Sequence, residues 1–106
     1  MNILKVFFGG AEENDDESRR RLFCELTSEL EAQATCGYPN SNVVDTAKRM
    51  REILVRSKIL LSKNEKIRLV KLMNQAKVRA LLRDDEHGHN IFQSLDSISA
   101  DVTRLL

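Results

Sequence analysis

Tryptophan is missing from this chain, tyrosine occurs once as Tyr38, and four phenylalanines complete the aromatic set. So few rings leave little on which to stack unpaired bases, which argues against a single-strand reader. Proline occurs once, as Pro39, and glycine four times, so little punctuates the chain. Cys24 and Cys36 are the only cysteines, twelve residues apart on a predicted helix. More than three turns separate them, so they cannot bridge within that helix, and reduced thiols in an intracellular protein are expected. The only histidines, His87 and His89, stand beside Asp84, Asp85 and Glu86. These are metal-donor types, but no further histidine joins them and the cysteines lie elsewhere, so residues 84–90 read as a polar surface loop. No serine or cysteine is placed as a nucleophile beside a histidine, and no glycine-rich phosphate loop is present. Enzymatic activity, cofactor and metal are accordingly not expected. No apolar run is long enough to cross a bilayer. Met1–Phe8 is apolar but far too short, and it lacks the features of a signal peptide. A β-edge, a flap over the core or a partner-binding tail all fit that stretch.

What is present is helical periodicity. At 106 residues the chain makes one domain, or one half of a symmetric assembly. Residues 1–14 read as an N-terminal extension, with Asn14 and Glu17 at capping-box spacing before a first helix over 15–35. Leu22, Phe23, Leu26 and Leu30 share one face of it, and Gly37, Pro39 and Asn40 end it. Asn42 is placed to cap the next helix. Val43, Ala47, Met50, Leu54 and Leu61 form one apolar stripe there. Ile53 and Leu60 form a second, so this helix reads as contacted from two sides. Ser62-Lys63-Asn64-Glu65 is open to two readings. It has the pattern of a capping box that starts a new helix, yet it contains no glycine or proline. The second point favours one long basic helix over 42–83, kinked at most near 62. Asn90 is a candidate cap for a C-terminal helix over 90–106, with Ile91, Leu95, Ile98, Val102 and Leu105 along a seam.

Charge is distributed unevenly. Residues 46–83 hold twelve basic and two acidic residues, +10 in all, between arms of −5 and −4, although the chain totals +1. Such asymmetry points to an anionic partner. Arg49, Arg56 and Lys63 recur at seven-residue steps and share one line of a helix, with Lys48 and Lys58 in support. A row of cations without interleaved aromatics suits the phosphates of duplex RNA. Against this, the acidic arms offer internal partners for the same cations.

Tyr38, Pro39, Asn40 and the pair Asn42-Val43, followed by Leu54, Arg56, Lys58, Ser62 and Lys63, resemble the turn and long second helix of the duplex-RNA-binding silencing suppressors of insect nodaviruses, flock house virus type. The likeness runs from about Tyr38 to Ala76. Met1–Gly10, the acidic run 12–17 and the lysine-rich stretch 63–71 depart from that family. The resemblance implies an all-helical protein pairing as an antiparallel dimer into an elongated four-helix bundle along an RNA duplex. It also implies backbone contacts from Arg56 and Lys63.

The expected fold is therefore all-α, with three to four helices, a long helical hairpin and a dimeric four-helix bundle. The expected function is sequence-independent binding of duplex RNA in the cytoplasm by a viral suppressor of host RNA silencing. Arg49, Arg56, Lys63, Lys48 and Lys58 would be its RNA-binding residues. The alternative is a helical adaptor or regulator whose basic helix docks an acidic partner.

Overall fold

The computed structural model describes residues 16–57 and 59–106. They form α1 (Asp16–Thr35), α2 (Ser41–Arg56), α3 (Lys63–Leu82) and α4 (Glu86–Leu105), with no strand among the described residues. The stretch Met1–Gly10 and the cap expected at Asn14 lie outside the described residues, as does Lys58.

Local chemistry sets the helix ends. α1 opens on Asp16 and Glu17, which suit the positive end of a helix dipole. It stops just before Gly37, whose φ of +74° is left-handed and costs glycine little. Asn40, not Asn42, caps α2: its Oδ1 accepts the Asn42 N–H at 2.8 Å. α3 ends at Leu82, and Asp84 follows at φ +56°, a left-handed conformation that aspartate tolerates better than most residues. Asp85 then caps α4 by accepting the Gly88 N–H at 2.7 Å. The surface loop expected over 84–90 is therefore only a short turn. His87 and His89 sit exposed in the first turn of α4, and no group of residues able to hold a metal occurs among the described residues.

The continuous helix expected over 42–83 is two helices. α2 ends at Arg56, and Ser57 turns extended (φ −126°, ψ 153°). Ile59 and Leu61 are half-buried against the core while Leu60 between them is 85% exposed, the in-and-out alternation of extended chain. Ser62 then starts α3 with both arms of a capping box. Its Oγ accepts the Glu65 N–H at 3.2 Å, and its own N–H donates to Glu65 Oε1 at 2.8 Å. Length explains the preference. A continuous helix of 42 residues would run about 63 Å. It would outreach α1, which at 20 residues is about 30 Å long, and leave much of its apolar surface bare.

α1 packs on α2 and α3, and α4 packs on α3 and α2, so the helices stand at the corners of a square. Arg20 joins the start of α1 to Glu65 at the start of α3, and Arg79 joins the end of α3 to the Gly37 carbonyl beyond α1. These two helices therefore run parallel, each antiparallel to its hairpin partner. Phe23, Leu26 and Leu30 of α1 meet Val43, Ala47 and Met50 of α2 in the core, with Leu69, Met73 and Ala76 from α3 and Ile91, Leu95 and Ile98 from α4. The four-helix bundle is thus complete within one chain, about 52 × 28 × 20 Å.

Gly88 is a close approach. A Cβ there would fall against the Ala80 carbonyl and 2.7 Å from Arg83 Cβ, where the α3–α4 turn closes. Gly88→Ala should cost about 2 kcal/mol through overpacking. The melting temperature should fall by roughly 10 °C in a scanning calorimeter. Ser62→Ala should cost about 1 kcal/mol through the lost cap.

Candidate functional site

Arg49 and Arg56 project from the same side of α2, two turns apart, and both stand exposed. They line one wall of an open groove of about 500 Å³ together with Glu52, Ile53 and Ser57. The opposite wall is the first part of α1, with Ser18, Arg19, Leu22 and Leu26. Leu22, Leu26 and Ile53 give the groove an apolar floor, and three guanidinium groups surround it. Leu22 was expected to share the buried face of Phe23 and Leu26, and it is instead 40% exposed at this groove.

The cations are not equally available. Arg56 Nε donates to Glu52 Oε2 at 3.1 Å, a pair so exposed that it contributes little to stability and leaves the guanidinium accessible. Arg19 and Arg49 make no ion pair among the described residues, and neither does the exposed Lys48. Lys63 is the first residue of α3, beyond the break, and shares no helical stripe with Arg49 and Arg56. The predicted line of three is thus a pair on α2, joined across the groove by Arg19. Sequence reasoning missed Arg19 because it falls in the acidic N-terminal arm. The run Arg19-Arg20-Arg21 was the available signal.

Elsewhere the acidic arms take up the basic segment. Arg51 pairs with Asp101 at 2.9 Å, Arg68 with Glu31 at 2.7 Å, Lys77 with Asp96 at 3.2 Å and Arg83 with Asp85 at 3.1 Å. Lys66 donates to the Leu106 carbonyl and Arg79 to the Gly37 carbonyl. Within 46–83, that leaves Lys48, Arg49, Lys63 and Lys71 without an ion pair or hydrogen-bonded side chain among the described residues.

The second apolar stripe expected on the helix after Asn42 is also placed differently. Ile53 is half-buried in the core and Leu60 lies in the linker, outside any helix. The helix with two apolar faces is α3. Its inner stripe is Leu69, Met73, Ala76 and Ala80, while Ile67, Val78, Leu81 and Leu82 are exposed on the far side. Cys24 and Cys36 are exposed free thiols. No described helix is long and apolar enough to cross a membrane. Compared with known protein families, curated proteins and solved structures, the chain matches none.

Two carboxylates are tuned. The Ser62 backbone N–H and then the Arg20 guanidinium hold Glu65 below the usual glutamate range. Arg83, then the Gly88 N–H, holds Asp85 below the usual aspartate range. Both groups favour their charged form in the fold, so the stability they contribute is complete above the ordinary carboxylate pKa. It is lost as pH falls through the lowered folded values. Glu65→Gln should therefore melt below the parent protein at pH 7. The two melting curves should converge as the pH falls through the lowered folded value of Glu65, below which the carboxyl is protonated in both states.

Proposed function

We propose that the chain is a non-enzymatic binder of duplex RNA that acts through backbone phosphates. In this reading it is a viral suppressor of RNA silencing, working in the host cytoplasm by hiding duplexes from nucleases. The observation that carries the reading is the exposed set Lys48, Arg49 and Arg56 on α2, joined by Arg19. These cations stay accessible while Arg51, Arg68, Lys77 and Arg83 are engaged by acids. Lys63, at the start of α3, extends the set past the linker. The resemblance of 38–76 to the nodavirus suppressors supports the same assignment. A homodimer belongs to the reading, supported by the exposed Ile67, Val78, Leu81 and Leu82 along α3.

The apolar floor of the groove favours a second reading. Phosphate contacts do not need Leu22 or Ile53, whereas an acidic amphipathic segment of a protein partner uses both a floor and a cationic rim. In that case the chain is an adaptor that docks such a segment.

A mobility-shift titration separates the two. Unrelated duplex RNAs of equal length should bind alike. Three or four phosphate contacts predict that affinity falls about 40- to 150-fold between 50 and 200 mM salt. Arg49→Glu and Arg56→Glu should each weaken binding at least tenfold with an unchanged circular dichroism spectrum, and Leu22→Asp should leave it intact. Absence of a shift at low salt refutes the RNA reading.

A further inference from the structure

We propose that the α1–α2 groove is the docking site of the chain's own residues 3–8, with the acids of residues 12–15 set against its arginine rim. The proposal goes beyond the RNA reading and does not depend on it.

Position comes first. The groove is walled by Ser18, Arg19 and Leu22, so it opens within two turns of Asp16, where the described chain begins. Residues 9–15 are a seven-residue tether, and extended chain reaches at most about 3.3–3.6 Å per residue, or roughly 23–25 Å here. The groove runs along two turns of helix, about 11 Å, well within that span. A segment tethered so closely is present at an effective concentration on the order of millimolar, ahead of any free peptide.

Chemistry agrees with position. Ile3, Leu4, Val6, Phe7 and Phe8 form an apolar block with one charge, Lys5. The floor of Leu22, Leu26 and Ile53 is its natural complement, and Leu22 is the part most in need of cover. Glu12, Glu13 and Asp15 follow the block, while Arg19 and Arg49 at the rim have no ion pair among the described residues. Apolar block to floor and acids to rim is the order in which the tether delivers them. The arrangement covers the apolar floor that α1 and α2 leave open between them.

Disulfide trapping in the full chain tests this, in a background with Cys24→Ser and Cys36→Ser. Phe7→Cys with Leu22→Cys should give an intramolecular disulfide under mild oxidation. Trapping should be at least tenfold faster than for Phe7→Cys with Ser94→Cys, a control on α4, which lines no part of the groove. A parallel measurement uses 1-anilinonaphthalene-8-sulfonate. Phe7→Ser with Phe8→Ser should raise dye fluorescence threefold or more, and Leu22→Glu should remove the increase. Equal trapping at both positions, or at neither, overturns the proposal. A covalent species of twice 12.1 kDa overturns it in favour of a second copy in the groove. Strong dye binding by the parent chain, indifferent to Phe7 and Phe8, overturns it in favour of an external partner.

Discussion

The carboxylate of Glu65 gathers three parts of the chain at one point. It accepts the Ser62 N–H at the head of α3, and it accepts Arg20 Nη2 through both oxygens at 2.8 and 2.9 Å. The same guanidinium donates to the Leu60 carbonyl in the linker. One side chain from α1 thus clamps both the cap that starts α3 and the extended stretch that precedes it. Much else follows from holding the break in this way. Without it the α3 cap and the extended linker would lose the partner they share, and α1 would lose its polar tie to the start of its parallel neighbour. The pair is partly exposed, so its direct electrostatic worth is modest. Its importance lies in satisfying donors and an acceptor that a broken helix leaves orphaned.

The same economy governs charge. The basic segment and the acidic arms are far apart in sequence and adjacent in space, because α3 packs between α1 and α4. Glu31 and Asp96 reach across those interfaces, Asp101 reaches Arg51 across the α2–α4 interface, and Asp85 closes on Arg83 from the turn. A count of +10 along the chain is therefore a poor guide to the field outside it. What remains is Lys48 and Arg49 on α2, beside the exposed Arg56–Glu52 pair, Lys63 and Lys71 on α3, and Arg19 at the opening of α1.

Much of the fold was legible in the sequence, for identifiable reasons. Gly37 and Pro39 marked the first turn, and Ile91, Leu95, Ile98 and Val102 marked a seam that is buried as predicted, although Leu105 at its end is exposed. The break at 57–62 was harder. Ser62 and Glu65 signalled a cap, but the lack of glycine or proline argued for continuity. The deciding groups, Arg20 and the core that admits Ile59 and Leu61, lie outside the local pattern. The fourth helix began earlier than expected because Asp85 caps it, and a run of acids and histidines looks like loop until its partner N–H is known. The site was only half visible. Spacing found Arg49 and Arg56, but Arg19 and Leu22 join them through packing of α1 on α2, which periodicity within either helix does not encode.

The linker between α2 and α3 also divides the molecule by sequence distance. On either side of it is a helical hairpin whose contacts close over a few residues of turn, at 36–40 and at 83–85. Contacts between the two hairpins span far more chain: 45 residues from Arg20 to Glu65 and 50 from Arg51 to Asp101. Long loops carry the larger closure entropy, so the hairpins are the quickly formed units and their docking is the slower, cooperative event. Side chains at the two turns bear on how each hairpin forms. Arg20, Glu65, Arg51 and Asp101 bear on whether the two halves stay together.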